Sequence, residues 1–381
     1  MLIVLPGDNI IGTIKHVFER NPRANKIVDE IHLLAREYGD VLKIMNFCGT
    51  HEWTISHYGL RTLMPDNVEL IAGPGCPVCI TPGYYVDLLI DLSFEEYVIH
   101  TYGDAYKLPG TRIRGVRSLY EAHASGGKVR VVYSFLDSLK HALREKDEKH
   151  VFFAVGFETT MPTTAFPLMA HSVPENLLIL HAYRLTPPVM KHLLENRPDI
   201  RLDGVIAPGH VSSIIGANAW VFLPEEYNIP VVVSGFEPVD VLLAVKYILE
   251  MKLEDKPRLV NEYTRVVRPE GNISAKKAIQ KVYEARTAYW RAIGYIPDSG
   301  AYPKKEYRNR DLAAVLGIEE KPGPREHLPG CRCPDVVLGA AKPTDCPLFM
   351  KRCTPENPYG PCMVSSEGTC RIWAENMPLI I

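Results

Sequence analysis

The sequence lacks several features that mark common classes of protein. No apolar run approaches the roughly 18 residues of a membrane-spanning helix, so no membrane span is expected. The 43 basic and 45 acidic residues nearly cancel, and no basic block is present, which argues against a nucleic-acid partner. The opening residues 1–6 (MLIVLP) are apolar, but they lack the length, basic start and cleavage site of a signal peptide. The sequence therefore predicts a cytoplasmic protein.

Cysteine is absent between Cys79 and Cys331, although the chain contains nine cysteines. Three of them, including Cys48 and Cys76, lie near the start of the chain. The other six lie in the C-terminal tail, residues 331–381: Cys331, Cys333, Cys346, Cys353, Cys362 and Cys370. Structural disulfides are rare in a reducing compartment, where clustered cysteines more often indicate metal, cluster or redox chemistry. The two groups are therefore the candidate sites of such chemistry.

Short apolar runs recur through the middle of the chain and alternate with segments of helical periodicity. Eight of these runs predict strands, at 43–47, 68–72, 96–100, 129–133, 151–155, 177–180, 204–207 and 230–234. Helical segments between them include Tyr84–Leu92 and Pro238–Glu250. Strands that alternate with helices predict parallel sheets with helices on both faces. We therefore predict an α/β fold with two related Rossmann-like domains and an irregular, cysteine-rich C-terminal domain.

The two sets of four strands resemble each other. VELIAGPGCP in the first set matches GVIAPGHVS in the second, and IMNFCGTHE matches FAVGFETT. Joints of strand, glycine turn and helix also look alike in unrelated proteins, which is the alternative explanation. We predict α/β domains at 41–150 and 151–265, an N-terminal helical segment at 1–40 that packs with the C-terminal part, and a helix plus cysteine-rich domain at 266–381.

Two further helices are predicted outside the strand sets. Asn21–Gly39 begins with Asn-Pro, which suits an N-cap and first turn, and ends at a glycine. Ser274–Gly294 carries an apolar stripe that includes Trp290, which we interpret as a packing residue. Residues 295–381 contain many prolines and glycines and show little periodicity, so a metal or cluster is expected to supply cohesion there.

Cys76-Pro-Val-Cys79 is a CxxC motif that follows a predicted strand. Ligands of parallel α/β sheets bind at the carboxyl ends of strands. We therefore expect the two thiols of this motif to face the same crevice as Cys48 and His51. Two thiols at this spacing near a helix start can form an exchangeable disulfide, because the helix end stabilises a thiolate. Metal ligation, for which the sequence offers no second CxxC, and an inert structural role are the alternatives.

Cys48 and His51 lie three positions apart in NFCGTHE, at the end of a predicted strand. A thiol protease would need a third, orienting group, and none is evident. A buried pair with satisfied hydrogen bonds is a second interpretation. Metal ligation is the third, since thiolate and imidazole suit iron, zinc or copper, and the small Gly49 and Thr50 leave room for a bound group.

Four other polar residues follow predicted strands and are further candidates for the crevice: Asp104, Glu158, Thr159 and His210. For Glu158 and Thr159, capping of a helix is the alternative. The six tail cysteines are two more than the four that an iron–sulfur cluster needs, and spare thiols beside a cluster indicate a dithiol that it can reduce. Zinc is the competing ligand, although the spacings are wider than in compact zinc ribbons.

Six segments, taken together and in order, resemble the HypD family of hydrogenase maturation factors. They are NFCGTHE, GPGCPVC, TYGDAYKLPG (101–110), VGFETT (155–160), APGHVS (207–212) and the six-cysteine tail. No single motif is decisive, but the set is specific, and it runs through most of the chain. The tail also resembles, more loosely, the cluster and disulfide of ferredoxin:thioredoxin reductase.

The resemblance implies a redox-active assembly scaffold rather than an enzyme of classical turnover. With a HypC-like partner, the scaffold would hold the iron on which the Fe(CN)2CO group of [NiFe]-hydrogenase is built, and a HypE-like partner would supply cyanide. The resemblance implies Cys48 as the iron ligand, with His51 beside it as a second candidate. It also implies Cys76 and Cys79 as redox thiols that relay electrons.

The resemblance further implies a [4Fe-4S] cluster in the C-terminal tail. The looser analogy pairs one cysteine of the CxC at 331–333 with a late cysteine as a disulfide beside the cluster, and on that basis we predict four cluster ligands: Cys331, Cys346, Cys353 and Cys370. Cys333 and Cys362 then form a redox pair beside the cluster. The competing function is an iron–sulfur-dependent disulfide reductase that acts on a protein substrate and needs no iron at Cys48. A zinc-stabilised α/β binding protein is the third possibility.

Overall fold

A computed structural model describes residues 23–376 apart from 292, 320, 321, 324, 325 and 327. The apolar residues 1–6 and the first two positions of the helix predicted at Asn21–Gly39 lie outside the described residues. The described chain divides into two compact units, each made of separate stretches. The first contains 23–72 and Arg201–Glu270, with Asn376, and the second contains Gly73–Ile200 and Gly271–Glu375.

The elements follow the chain in this order. The strands are β1 Leu42–Asn46, β2 Val68–Ala72, β3 Tyr97–Tyr102, β4 Val129–Val132, β5 Lys149–Gly156, β6 Leu177–Tyr183, β7 Gly204–Pro208, β8 Val231–Ser234, β9 Leu259–Asn261, β10 Tyr283–Trp290 and β11 Gly294–Pro303. The helices are α1 Arg23–Tyr38, α2 Gly49–His57, α3 Gly83–Phe94, α4 Gly103–Tyr106, α5 Leu119–Ala124, α6 Phe135–Arg144, α7 Met161–Met169, α8 Thr186–Asn196, α9 Gly209–Ile215, α10 Phe222–Tyr227, α11 Pro238–Leu253, α12 Ile273–Val282, α13 Leu312–Leu316, α14 Cys333–Val337 and α15 Thr369–Asn376. Short 3₁₀ turns lie between several of them.

The first unit contains a five-stranded parallel sheet in the order β2-β1-β7-β8-β9. Counted within the unit, this order is 2-1-3-4-5, the doubly wound order of flavodoxin-like folds. The strand order reverses between β1 and β7, and the carboxyl ends of those strands form the topological switch point. Helices α1 and α11 pack on this sheet, where Ile31 and Val245 join Ile44 in one buried cluster.

The second unit contains a four-stranded parallel sheet in the order β4-β3-β5-β6. Counted within the unit, the order is 2-1-3-4, the same winding as in the first sheet, with its switch point between β3 and β5. All eight strands predicted from the apolar runs are present. The prediction of an α/β fold with two Rossmann-like parallel sheets is therefore confirmed.

The strands of the first sheet are not contiguous in sequence, whereas the four strands of the second sheet follow one another along the chain. Asn46 of β1 lies opposite Ile206 of β7, and His100 of β3 lies opposite Phe152 of β5. The units accordingly divide after Ala72, Ile200 and Glu270, and not at residues 150 and 265 as the sequence predicts. The sequence of each strand predicts that it forms a strand, but it does not predict the neighbouring strand. Several apolar strands of similar length could pair with it, and packing selects among them.

The helix predicted at Ser274–Gly294 is wrong in its second half. Helix α12 ends at Val282, and the following residues form β10, which pairs antiparallel with β11. The segment is rich in aromatic residues and contains a β-branched threonine, and such residues favour a pleated strand over a helix. Trp290 is fully buried and donates its Nε1 hydrogen to Ser299 Oγ at 2.8 Å, which confirms it as a packing residue.

After β11 the described chain forms only short helices and turns, as the scarcity of periodicity predicts. None of the helices in the described part of the chain combines the length and the apolar character needed to cross a bilayer.

Candidate functional site

Cys48 and His51 lie at the switch point of the first sheet. Cys48 is the N-cap of α2, with an extended backbone (φ −158°, ψ 132°), two residues after β1 ends. A helix N-terminus carries unpaired N–H groups and partial positive charge, which stabilise a thiolate and any anionic group beside it. The Cys48 side chain is half-buried. A bound group can therefore reach the sulfur without rearrangement of the strand.

His51 is fully buried in the first turn of α2. Its Nε2 lies 2.8 Å from the carbonyl oxygen of Gly235 and 3.3 Å from that of Ser234. Because both neighbours only accept hydrogen bonds, Nε2 carries the proton and Nδ1 keeps its lone pair. Among the described residues Nδ1 has no hydrogen-bond partner. Burial lowers the pKa of His51 to about 4, so the ring is neutral, the form that binds metals.

Phe236 joins His51 to His210, which begins the chain segment after β7 on the other side of the switch point. The Phe236 ring centroid lies 4.8 Å from that of His51 and 4.0 Å from that of His210. The residue His210 as a whole is exposed, but its ring packs against Phe236, and desolvation of the ring lowers its pKa. The predicted candidate His210 thus lies in the same group as His51. Phe236 was missed, although its sequence SGFE resembles the GFE that follows β5.

A charged group supports the backbone that holds His51. The N–H of Gly235 donates to Glu262 Oε2 at 3.2 Å, and Arg265 pairs with the buried Asp240. Burial, with the nearby Asp240, raises the pKa of Glu262 to about 7. A Cβ on Gly235 would lie 2.1 Å from Asp240 Oδ2, so a larger residue there would displace its neighbours. The site therefore includes residues, such as Glu262, that belong to no motif recognisable in the sequence.

Asn46 and Glu52, the first and last residues of NFCGTHE, have structural roles. Glu52 is 1% exposed, and its carboxylate accepts hydrogen bonds from Arg61 Nη2 at 2.7 Å and from Asn46 Nδ2 at 2.9 Å. Asn46 also donates to the carbonyl oxygen of Ile71 on the neighbouring strand at 3.1 Å. This buried network ties α2 to β1 and β2, and it fixes the turn that carries Cys48.

Cys76 and Cys79 form a disulfide in the second unit, in a tight turn of residues 76–79 that we call the CPVC turn. The N–H of Cys79 donates to Cys76 Sγ at 3.1 Å, and Thr81 Oγ1 donates to the carbonyl oxygen of Pro77 at 2.8 Å. Both cysteines are buried. Helix α3 starts only at Gly83, so its N-terminus lies beyond the disulfide, not against it as the sequence predicts.

Cys333 and Cys362, the predicted redox pair, are in contact. A side-chain hydrogen bond with Cys362, together with burial, raises the pKa of Cys333 well above its usual value. A second side-chain hydrogen bond joins Cys362 to Cys370, a predicted cluster ligand. Neither Cys333 nor Cys362 is in a disulfide. Their assignment as a redox pair stays a prediction, and their contact is consistent with it.

The other three tail cysteines lie in the same neighbourhood. Burial raises the pKa of Cys331, and Cys346 and Cys353 lie close enough to contribute to that rise. The N–H groups of Tyr359 and Gly360 point at Cys353 Sγ, at 3.4 and 3.5 Å. N–H bonds of this kind tune the sulfurs of iron–sulfur clusters. A Cβ on Gly360 would lie 2.6 Å from Cys331 Sγ, so glycine leaves space for that sulfur.

The donor set of the tail fits an iron–sulfur cluster in number and chemistry. Within the described ranges, no three His, Cys, Asp or Glu side chains converge as a single metal ion requires. The tail nevertheless brings together six thiols, five of them buried, and thiolates are the ligands of such clusters. Burial makes a bare thiolate costly, and a bound cationic group would offset that cost.

The tail is anchored at the switch point of the second sheet. Asp104, directly after β3, accepts hydrogen bonds from Ser365 Oγ at 2.8 Å and Ser366 Oγ at 3.2 Å. Burial, together with the charge of Asp104, raises the pKa of Glu367 to about 7. Glu158, after β5, is buried and accepts the N–H of Thr186 at 2.7 Å, at the first residue of α8. Asp104 therefore holds the tail, and Glu158 caps a helix.

The predicted site residues fall into two groups. Cys48, His51 and His210 belong to the first unit, whereas Cys76, Cys79 and the six tail cysteines belong to the second. The single crevice expected for Cys48, His51, Cys76 and Cys79 stays a prediction.

Both a family model and known proteins match this sequence over most of its length. The family model described as "HypD: Hydrogenase formation hypA family" matches residues 22–377. A hydrogenase expression/formation protein of Methanocaldococcus jannaschii is 44% identical over 358 residues, 93% of this chain and 97% of its own. The hydrogenase maturation factor HypD of Cupriavidus necator is 38% identical over 364 residues (93% and 94%), and that of Escherichia coli K12 is 40% identical over 339 residues (87% and 88%). The chain therefore belongs to the HypD family.

Proposed function

We propose that the protein is a hydrogenase maturation factor that holds iron at Cys48 while the Fe(CN)2CO group of [NiFe]-hydrogenase is assembled. The observation that carries this proposal is that Cys48 and His51 lie together in the first turn after β1. A thiol at a helix N-cap is followed, one turn later, by a buried neutral imidazole whose Nδ1 lacks a hydrogen-bond partner among the described residues. The family relationship supplies the hydrogenase context.

The chemistry of the pair suits this cargo. Iron that bears cyanide and carbon monoxide is a soft centre, and soft centres favour thiolate. The N–H groups at the start of α2 favour negative charge at Cys48 and on anionic ligands of the cargo. The carbonyl oxygen of Gly235 holds Nε2–H of His51, so Nδ1 is the atom that would bind iron or accept a proton. A HypC-like partner would share the iron, and a HypE-like partner would donate cyanide.

The thiols of the second unit would supply redox chemistry. Cys331, Cys346, Cys353 and Cys370 would hold a [4Fe-4S] cluster, which when bound supplies single electrons. The thiol pair Cys333 and Cys362 would exchange with the Cys76–Cys79 disulfide: the donor pair is oxidised to a disulfide, the acceptor pair is reduced to two thiols, and two electrons and two protons move between them.

The competing function, a disulfide reductase acting on a protein substrate, has less support. Cys76 is 5% exposed and Cys79 is fully buried, so the disulfide of another protein has no direct access to either sulfur in this conformation. A reductase would also leave the conformation of Cys48 and His51 without a use.

Infrared spectroscopy tests the proposal. We expect the protein, purified anaerobically with HypC-like and HypE-like partners, to show the stretching bands of metal-bound carbon monoxide and cyanide. Cys48→Ala should abolish them. Ser118→Ala is the matched control, because Ser118 is the N-cap of α5 and accepts the N–H of Glu121 far from any cysteine in sequence. Bands that persist in Cys48→Ala, or that are missing from a cluster-containing wild-type complex with both partners, would contradict an iron site at Cys48.

A further inference from the structure

We infer that Arg291 and Glu326 are positioning residues for the Cys76–Cys79 disulfide: their buried ion pair holds the CPVC turn and sets the equilibrium between its disulfide and dithiol forms. This inference rests on the proposed redox role of these two cysteines. Neither residue belongs to a motif that the sequence reveals, since Arg291 follows β10 and Glu326 lies between β11 and the first tail cysteine.

Arg291 is fully buried and uses its whole guanidinium group. Nη1 donates to the carbonyl oxygen of Pro109 at 2.6 Å, Nη2 to that of Gly110 at 3.2 Å, and Nε to that of Glu326 at 3.1 Å. The backbone N–H of Arg291 donates to the carbonyl oxygen of Ile80 at 2.8 Å, one residue after Cys79. One residue thus holds both the end of the CPVC turn and the loop that follows TYGDAYKL.

Glu326 completes the attachment. Its side chain is 1% exposed and lies 3.5 Å from Arg291 Nε. Its two carboxylate oxygens accept the N–H groups of Gly83 at 2.7 Å and Tyr84 at 3.1 Å, the first two residues of α3. A carboxylate at a helix N-terminus is favourable because it meets unpaired donors and the positive end of the helix dipole. The backbone of Arg291 therefore holds Ile80, the carboxylate of Glu326 holds Gly83 and Tyr84, and the ion pair fixes these two attachments to each other.

The ion pair also connects the disulfide to the tail. Arg291 lies close enough to Cys333 to act on its thiol electrostatically, and Glu326 lies five residues before Cys331 in the chain. Arg291 therefore lies near both cysteine groups.

Loss of the pair should favour the dithiol form. A disulfide is stable when the protein holds two sulfurs at bonding geometry, and here the two Cα atoms are 5.4 Å apart. Neutralising Glu326 leaves the buried charge of Arg291 uncompensated, and lysine at position 291 lacks the forked donors that hold the carbonyl oxygens of Pro109, Gly110 and Glu326, so either change loosens the segments that the pair holds. The two sulfurs are then held less closely, so reduction of the disulfide to two thiols, with two electrons and two protons, becomes more favourable.

The test is a redox titration of the full chain, purified anaerobically. Mixtures of reduced and oxidised dithiothreitol supply or accept the two electrons, because dithiothreitol closes to its own disulfide when oxidised. Alkylation and mass spectrometry then report whether Cys76 and Cys79 are thiols or a disulfide. The reading is unambiguous because these are the only two cysteines between Cys48 and Cys331. The variants are Arg291→Lys and Glu326→Gln.

Arg184→Lys is the matched control. Arg184 is also buried, belongs to the second unit, and donates to backbone carbonyl oxygens, including that of Tyr289 at 2.8 Å. Both test variants should shift the equilibrium toward the dithiol about tenfold, which corresponds to about 30 mV for two electrons. The control should remain at the wild-type equilibrium. Glu326→Gln keeps the shape of the side chain. If Arg291→Lys does not fold, the equilibrium measured for Glu326→Gln alone decides the outcome.

Two results would overturn the inference. One is an unchanged equilibrium in the test variants, with a lower melting temperature as the only effect. The other is an equal shift in Arg184→Lys. A wild-type disulfide that does not exchange with dithiothreitol at all would instead contradict the proposed redox role of Cys76 and Cys79. The two failures are therefore distinguishable without any measurement of hydrogenase maturation.

Discussion

The Nε2 atom of His51 lies 2.8 Å from the carbonyl oxygen of Gly235, so the backbone after β8 fixes the tautomer of a histidine in α2. The two residues are distant in sequence, and they meet because β1 and β8 flank β7 in one sheet. The contact leaves Nδ1 as the only nitrogen of His51 that can bind iron or accept a proton.

Gly235→Ala should disturb this contact. The new Cβ would lie 2.1 Å from Asp240 Oδ2 and 2.6 Å from Arg265 Nη2, so either these side chains or the backbone that carries the carbonyl oxygen must move. We expect a loss of about 1–3 kcal/mol in the free energy of unfolding and weaker iron retention. Denaturant unfolding and iron analysis after gel filtration measure the two effects.

Gly103→Ala is the control for that substitution. Its Cβ would meet only Val131 Cγ1 at 3.8 Å, an ordinary contact. Its stability should stay within about 0.5 kcal/mol of wild type. Normal iron retention in Gly235→Ala would show that the Gly235 carbonyl oxygen does not position His51 for metal binding.

Buried histidines should make the protein less stable in acid. Burial lowers the pKa of His51 to about 4 and those of His100 and His181 to about 3, from an ordinary value of 6.5. The folded protein binds fewer protons than the unfolded chain between these values. The stability that each neutral ring contributes is therefore complete above pH 6.5 and is lost as the pH falls toward its folded pKa.

His181→Leu isolates one of these contributions. Neither ring nitrogen of His181 has a hydrogen-bond partner in the described structure, so leucine removes a buried polar group. Burial raises the pKa of Glu158 to about 7, and this carboxyl acts in the opposite direction, losing stabilisation as the pH rises through that value. The measurement is therefore the difference between wild type and variant in denaturant unfolding at several pH values. We expect the variant to lose less stability on acidification, and identical pH slopes would refute the assignment of His181.

Cys331→Ser and Cys333→Ser should differ in phenotype. The first removes a proposed cluster ligand and should lower the iron and labile-sulfide content of anaerobically purified protein. The second should keep the cluster and slow the reduction of the Cys76–Cys79 disulfide by the tail at least tenfold, because the attacking thiol pair is incomplete. Visible absorption, iron analysis and alkylation kinetics report these outcomes. A cluster lost from Cys333→Ser but retained in Cys331→Ser would reverse the assignment.

Glu52→Ala should destabilise the first unit strongly. It removes the carboxylate that pairs with Arg61 at 2.7 Å and leaves Asn46 Nδ2 without one of its acceptors. Because Glu52 is buried, we expect a loss of about 3 kcal/mol in the free energy of unfolding. Glu96→Ala is the control, since Glu96 pairs with Lys149 at the surface and its loss should not measurably change stability. Equal effects of the two substitutions would contradict the structural role assigned to Glu52.

Much of the site follows from local sequence. The positions of Cys48 and Cys76 after apolar strands indicate strand ends, and the structure places Cys48 at the N-cap of α2 and Cys76 four residues after β2. Cys333 and Cys362 are in contact, and their role as a redox pair stays a prediction. Phe236, Glu262 and Arg291 could not be found this way, because isolated aromatic and charged residues carry no spacing signal.

The sequence by itself determined eight of the nine strands of the two parallel sheets, the α/β class and the cysteine groups, because strand formation and motif spacing are encoded within a few neighbouring residues. Only the tertiary structure decided which strands pair, since packing selects partners among similar apolar strands. It also ended the helix predicted at Ser274–Gly294 after Val282, where pairing of β10 with β11 outweighs helical periodicity. The lone pair on His51 Nδ1 and the Arg291–Glu326 ion pair arise from contacts between residues remote in sequence, and burial gives both their chemical character.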